Sequence, residues 1–214
     1  MATPIGNLED VSARALRVLS EVTAIAAEDT RVTSRLLARH SIRKPLISYR
    51  APVERRGLPR VLAALELGDV ALVSDAGTPS VSDPGQQLVA AAWAAGHTVV
   101  PIPGPSSVTA ALSIAGYGGQ GFTFVGYLPR KPGEMRRLLA SLGARPAVAF
   151  ESPYRISKSL AVIAEVMPER HVTVTRELTK VHEEVLRGTA SQVLAALGDR
   201  ARGEFTLVID GLRE

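Results

Sequence analysis

"VSDAGTPSVSDPG" occupies residues 73–85 and follows directly on an apolar run, "ALV", at 71–73. The apolar residues read as the end of a buried strand. The ten after Ser74 are almost all Gly, Ser, Thr, Pro and Asp, and a helix begins near Pro84. A loop this polar and this stiff at a strand end is a ligand-binding address if the strand belongs to an open parallel sheet, because such sheets bind ligands outside their carboxyl ends. What surrounds the loop decides whether that sheet exists.

On either side, apolar runs alternate with amphipathic helical patterns. Val11, Ala15, Leu19 and Val22 fit one helix face, "TAIAA" (23–27) is a short strand, and a helix follows through Arg39. Then come "PLISY" as a strand, a Leu-rich helix ending near Gly68, the strand "DVALVSD", an Ala-rich helix after Pro84, the strand "HTVVPI" (97–102) and a helix over 106–115. Strict alternation implies right-handed crossovers and a mostly parallel sheet covered on both faces. At "GYGGQG" (116–121) the pattern breaks, which reads as a linker. Beyond it "FTFVGY", "AVAFES", "HVTVTREL", "EEVLRG" and "EFTLVI" are strands, with helices near 134–142, 153–166 and 190–197. Two of those strands are adjacent without an intervening helix, so the sheet there is mixed. The fold class is α/β with two domains, 1–116 and 117–214. "GYGGQG" also matches the dinucleotide fingerprint G-x-G-x-x-G, but it follows a helix and precedes a strand, the reverse of what phosphate binding on a helix N-terminus requires.

With 214 residues and 46% hydrophobic side chains the chain can bury a real core. The absence of cysteine excludes disulfides and thiolate chemistry. No stretch approaches the roughly 20 apolar residues that span a bilayer, and no signal peptide opens the chain, so the expected setting is the cytoplasm. The net charge of +4 is unevenly spread. Nine Arg or Lys against one acid, Glu54, fall within residues 31–60. Arg31, Arg35 and Arg39 recur every fourth residue and share a helix face. Three arginines can be a plain solvated face, but the sustained excess points to a polyanionic partner.

Three loops share the strand-end address: "ATPIGNLED" (2–10), "SDAGTPSVSDPG" (74–85) and "PGPSS" (103–107). Glycine lets backbone approach a ligand and proline holds the loop beforehand. Ser106 and Ser107 can cap a helix while exposed amides receive an anionic group. Asp75, acceptor-only when ionised, suits an ammonium, hydroxyl or sulfonium neighbourhood. The four histidines are scattered without metal-ligand spacing.

Taken in order, "TPIGNLED", "AEDTR", "VSDAGTPSVSDPG", "PGPSSVTAAL", "FVGYLPRK", "FESPYRI" and "RELTKVHEE" resemble the ribosomal RNA small subunit methyltransferase I family of the tetrapyrrole methylase superfamily. The resemblance runs from Ala2 to about Asp210. It implies a two-domain tetrapyrrole methylase-like fold, S-adenosylmethionine as cofactor in a cleft between the domains, a homodimer, and transfer of a methyl group to a cytidine ribose 2′-oxygen in the decoding centre of 16S rRNA within the 30S subunit. It further implies that Asp75, Ala76, Gly77 and Thr78 wall the cofactor, that Ile5 and Gly6 form its floor, and that Ser106, Ser107 and Val108 hold its methionine or ribose portion. Phe150, Glu151, Phe205 and Thr206 would close the adenosine side, with Glu177 and Thr179 facing the cleft. Arg31, Arg35 and Arg39 would hold RNA.

A ribose hydroxyl is a weak nucleophile, so a proton acceptor is expected. Glu28, Asp29, Glu151, Glu177 and His182 are the candidates, and their spacing does not choose among them: Asp29 equally reads as a helix cap, and Glu151 and Glu177 as partners of Arg155 and Arg176. The alternatives are a small-molecule tetrapyrrole methylase and a non-catalytic RNA-binding relative. Compared with the family pattern, the stretch before "ATPIGNL" is short, so that either the first strand is truncated or the start is misplaced, and a C-terminal helical domain is missing. The helix carrying Trp93 reads as core.

Overall fold

The computed structural model describes residues 1–51, 54–117 and 121–211. The chain divides into two compact units, Met1–Ser106 and Ser107–Glu214. The division falls ahead of the boundary read from the sequence, because the helix after Ser106 packs into the second unit. Part of the "GYGGQG" stretch, 118–120, lies outside the described residues.

In the first unit α1 (Ala13–Glu21) opens on the Ser12 hydroxyl, which accepts the Ala15 N–H at 3.1 Å. Then follow β1 (Ala24–Ala27), α2 (Thr30–Arg39), β2 (Leu46–Ser48), α3 (Glu54–Leu65), β3 (Val70–Val73) and α4 (Gln86–Ala94). The strands form a parallel sheet in the order β2-β1-β3. All four residues of β1 are buried, as a central parallel strand covered on both faces must be. Ile25 and Ala27 pack with Leu19, Leu36 and Leu37 of α1 and α2. Ala26 points the other way, to Val61 and Leu88 of α3 and α4.

Two expectations need correcting. "HTVVPI" forms no strand. One backbone hydrogen bond links it to the N-terminal segment. The Met1 ammonium donates to the Leu72 carbonyl at 2.9 Å, Ala2 N–H to Ile102 at 3.0 Å, and Thr3 pairs with Gly77 in an isolated bridge. Trp93 is not core: α4 buries Leu88 and Ala92 and leaves the indole 59% exposed.

The second unit begins with α5 (Ser107–Ala115), then β4 (Thr123–Tyr127), α6 (Pro132–Ser141), β5 (Ala147–Glu151), α7 (Ile156–Val166), β6 (His171–Arg176), β7 (Glu184–Thr189), α8 (Ala190–Leu197) and β8 (Phe205–Ile209). The sheet runs β4-β5-β8-β6-β7, with β4 and β5 parallel and the other pairs antiparallel, the mixed sheet expected. Strand alternation sorts β5 and β8 onto two cores. Ala147, Ala149, Phe205 and Leu207 face α6, α7 and α8, while Val148 and Val208 face α5. A capping box, Thr189 with Gln192, starts α8 directly from the end of β7.

Gly85 ends the loop after β3 with φ +134°, and a Cβ there would stand 2.8 Å from Ser80 Oγ and 2.9 Å from Leu72 Cδ2. Gly85→Ala is expected to destabilise the protein by about 1–3 kcal/mol, the usual cost of a non-glycine residue forced into such a conformation. Urea unfolding of the variant measures it, and an unchanged midpoint would show that the loop rearranges freely.

Candidate functional site

The carboxyl ends of β1 and β3 in the first unit carry a reciprocal strap. Asp75, just past β3, accepts the Asp29 N–H on Oδ1 at 2.8 Å. Glu28, just past β1, accepts the Asp75 N–H on Oε2 at 3.3 Å. Each acid thus fixes the backbone from which the other acid hangs. Asp83 adds a fourth carboxylate beside Ser74, whose hydroxyl donates to the Ala76 carbonyl at 3.3 Å. Sequence reasoning missed it, although it is the second aspartate of the quoted loop.

These acids differ in their electrostatics. Asp29 caps α2 by accepting the Arg31 N–H at 2.8 Å, and the Arg31 guanidinium grips both its oxygens, so its carboxyl is held well below the usual range. Glu28 has no cationic partner among the described residues. Burial pushes its carboxyl up, opposed by the Asp75 N–H and reinforced by the charges of Asp75, Asp83 and Asp29. Burial raises Asp83 too, against the Ser74 hydroxyl and with a contribution from Asp75.

The loop beyond is held in place by the N-terminal segment. Thr3 and Gly77 exchange both backbone hydrogen bonds, at 2.9 and 3.0 Å, and Thr3 Oγ1 donates to the Ser74 carbonyl at 3.2 Å. Gly77 has φ +74°, and a Cβ there would meet Ile5 Cγ2 at 3.4 Å. Ser80 and Ser82 also take positive φ, at 70° and 64°, so the loop stores backbone strain of the sort found at binding sites. Asp75, Ala76, Thr78 and Gly6 are exposed, while Ile5 and Gly77 are buried beneath them. The Thr78 hydroxyl lies 3.5 Å from the Pro105 carbonyl, which brings the 103–106 loop to the same edge. Of the sequence-derived residues, the first unit therefore gathers Ile5, Gly6, Glu28, Asp29, Asp75, Ala76, Gly77 and Thr78. Four carboxyl groups and a strained, glycine-containing loop form a surface suited to a cation.

Arg31, Arg35 and Arg39 are exposed on α2, opposite its buried Thr33, Leu36 and Leu37. Arg31 is taken by Asp29, whereas Arg35 and Arg39 make no ion pair among the described residues. Next to them an open groove of about 680 Å³ runs between α2 and β2, lined by Ser34, Ala38, Ser41, Arg43 and Lys44 among others.

In the second unit the designated residues fall on one sheet end but on two faces. Phe150, Thr206 and Thr175 align across β5, β8 and β6, and Glu151, Phe205 and Arg176 form the next row. Phe150 packs on the α5 side. Glu151 turns the other way and is buried, its carboxylate accepting the Ser152 N–H at 2.7 Å, Arg155 Nη2 at 2.5 Å and the Ser159 hydroxyl at 2.5 Å. Glu177 sits in a turn with φ 52° beside Thr179 at φ 65°. Burial would raise its carboxyl, but the Lys180 ammonium at 2.9 Å and the Glu204 N–H hold it below the ordinary value. Ser107 opens α5, whose Val108 is buried on the second sheet. His182 is exposed. Among the described residues no group of His, Cys, Asp and Glu is arranged to hold a metal ion.

Comparison with known proteins adds to this geometry. Residues 2–194 match the family of Tetrapyrrole (Corrin/Porphyrin) Methylases. Ribosomal RNA small subunit methyltransferase I of Neisseria meningitidis serogroup B is 47% identical over 98% of this chain and 74% of its own. That of Thermotoga maritima is 44% identical over 99% of this chain and 96% of its own. Among solved structures, uroporphyrin-III C-methyl transferase from Thermus thermophilus, complexed with S-adenyl homocysteine, superposes with a TM-score of 0.68 at 18% identity, covering 98% of this chain and 95% of that one. Cobalt precorrin-4 methyltransferase gives 0.71 at 15% identity over 98% and 92%. At such identities these two show the shared fold and no more.

The Glu151 network is a stability element with a measurable weight. Arg155→Leu leaves a buried carboxylate without its cation and is expected to cost about 3–5 kcal/mol, whereas Ser159→Ala removes one hydrogen bond and costs about 1–3 kcal/mol. Urea unfolding gives both values, and equal losses would contradict the arrangement.

Proposed function

Because the chain belongs to the tetrapyrrole methylase family and to its ribosomal RNA small subunit methyltransferase I branch, we propose that it methylates a cytidine of 16S rRNA. The methyl donor is S-adenosylmethionine, and the acceptor is the ribose 2′-oxygen of that cytidine in the decoding centre of the 30S subunit. The protein acts in the cytoplasm as a homodimer. No helix among the described residues is long and apolar enough to cross a membrane. The exposed Trp93 gives α4 an apolar surface that a partner copy would cover.

One observation carries this reading: four carboxyl groups, Glu28, Asp29, Asp75 and Asp83, converge with the 74–85 loop at one pair of strand ends, and among the described residues only Asp29 of the four makes an ion pair. Such an edge fits a cationic cofactor. Bound S-adenosylmethionine supplies a methyl group already activated by a positive sulfur. Asp75, Ala76, Gly77 and Thr78 would wall it, with Ile5 and Gly6 beneath. Ser106, Ser107 and Val108 are assigned to its methionine or ribose portion, and Phe150, Glu177 and Thr206 to its adenosine side, where Glu151 and Phe205, whose side chains are buried on the opposite face of the sheet, would offer only their backbone. Ser106 and Thr206 bring hydrogen-bonding side chains, Phe150 an aromatic face.

Among the four carboxylates named as candidate proton acceptors, Glu28 is the one whose environment suits the role. Asp29 is neutralised by Arg31, Glu177 is engaged by Lys180, and Glu151 is buried with three donors. A carboxylate made more basic by burial and neighbouring acids takes a hydroxyl proton more readily. Arg35 and Arg39 would bind RNA phosphates, with Arg43 and Lys44 continuing the basic surface along the groove.

Incubation with tritiated S-adenosylmethionine and 30S subunits is expected to put label into 16S rRNA at an alkali-resistant linkage, and none into uroporphyrinogen. Label in the tetrapyrrole, or in neither, overturns the reading. Glu28→Gln keeps an oxygen for the Asp75 N–H, so folding and cofactor affinity should persist while the rate falls about 10²–10⁴-fold. In the parent protein the rate rises with pH as Glu28 loses its proton, at a higher pH than an ordinary glutamate would, and the variant lacks that rise. Changing Arg35 and Arg39 together to Gln is expected to flatten the salt dependence of RNA binding by about 1.4–1.8 in the log–log slope, with cofactor affinity unmoved.

A further inference from the structure

The second unit carries two exposed tyrosines, Tyr127 and Tyr154, for which the cofactor reading has no use. β4 ends at Tyr127, 60% exposed, whose ring meets Phe150 edge-on at 5.6 Å, with Phe124 on the same ring at 5.1 Å. Its parallel neighbour β5 ends at Glu151, and the turn beyond it presents Tyr154, 90% exposed. These two loops are tied to each other. Arg155 Nη2 donates to the Leu128 carbonyl at 2.9 Å while holding the buried Glu151, which also receives Ser159 from α7. So Tyr154 projects from a turn fixed at its base by an ion pair and three hydrogen bonds, not from a loose loop.

Cations lie close to the two tyrosines in sequence. Arg130 and Lys131 follow Tyr127 in the first loop, and Lys158 lies on the first turn of α7, one helical turn beyond Tyr154. All three are exposed. Lys131 pairs with Glu134, an exposed bridge of little strength, while Arg130 and Lys158 make no ion pair among the described residues. A single exposed tyrosine needs no explanation. Two of them at adjacent strand ends, interleaved with cations on a braced scaffold, have the chemistry of single-stranded RNA recognition, in which unstacked bases lie on aromatic faces and phosphates meet Arg and Lys.

We propose that the loops after β4 and β5 form a stacking platform for single-stranded RNA: Tyr154 and Tyr127 take base faces, and Arg130, Lys131 and Lys158 take the flanking phosphates. This rests on the ribosomal RNA methyltransferase reading and extends it to a surface of the second unit, separate from the basic helix α2. The Glu151–Arg155–Ser159 network thereby becomes a positioning device, since it sets the turn that presents Tyr154. Pre-ordering the turn lowers the entropic cost of capturing a base.

The test is fluorescence anisotropy with a fluorescein-labelled single-stranded RNA copy of the decoding region, on full-length protein. Tyr154 is so exposed that its variants should fold, which an unchanged thermal midpoint verifies. Tyr154→Ala is expected to weaken binding about tenfold with the same salt slope, because stacking releases no counterions. Tyr154→Phe keeps the ring and should stay within about twofold of the parent. Lys158→Gln should flatten the slope by about 0.7. Cofactor affinity by calorimetry should not move in any of them. If Tyr154→Ala binds as the parent does while the parent methylates 30S subunits, the platform is wrong and the functional reading stands. If the substitution instead lowers the mass seen by light scattering, the surface is a contact between copies of the chain and the proposal falls. A parent protein that binds S-adenosylmethionine but neither binds nor methylates the RNA would bring down both.

Discussion

The site in the first unit depends on two backbone hydrogen bonds that cross between neighbouring strand ends. A parallel sheet leaves its last N–H groups pointing past the ladder, and they need acceptors. Here the acceptors are the acids of the opposite strand: Asp75 takes the Asp29 N–H, and Glu28 takes the Asp75 N–H. The strap holds both acids at the sheet edge and simultaneously sets the start of α2, because Asp29 is the residue that caps it. The direction of the basic helix and the position of the acidic edge therefore follow from the same contacts. Disturbing either carboxylate disturbs the entry to α2.

Much of this was legible in the sequence because local signals and tertiary demands agree. "TAIAA" reads as a short strand and forms one over Ala24–Ala27, and the helix after Asp29 begins where a capping aspartate should start it. Where the reading fell short, the deciding partner was remote. "HTVVPI" has strand composition, but a strand needs a ladder, and the neighbouring segment supplies only the Ala2 N–H. Trp93 looked like core by its side chain alone, yet the face of α4 that packs is the one with Leu88 and Ala92. Asp83 escaped notice because an aspartate before proline in a loop reads as turn chemistry, and only the fold carries it back to Ser74.

The second unit shows the limit of motif reading in another way. "FESP" places Phe150 and Glu151 side by side in sequence, and strand geometry then sends them to opposite faces. Phe150 joins the α5 side, where it meets Tyr127, and Glu151 enters the core beside α7, where it braces the following turn. A short motif can thus hold two jobs, one at the surface and one beneath it. The period-2 alternation was available from the sequence. What was not available was which face of β5 would be covered by α7, since that depends on the crossover between β5 and β6.

Charge completes the argument about the first unit. Glu28 and Asp83 both have carboxyls raised by burial and by neighbouring acids. A carboxyl with a folded pKa above its unfolded value binds more protons in the native state over that interval, so it lowers stability at higher pH and gives this back as pH falls through the folded value. At neutral pH these two acids are therefore a standing cost to the fold, alongside the positive φ of Ser80 and Ser82 in the same loop. The Glu151 network and the well-buried cores of both units supply the stability against which that cost is set. A cation at the strand ends would relieve the mutual repulsion of Glu28, Asp75 and Asp83, so the repulsion that weakens the free protein is the same quantity that favours a positively charged ligand.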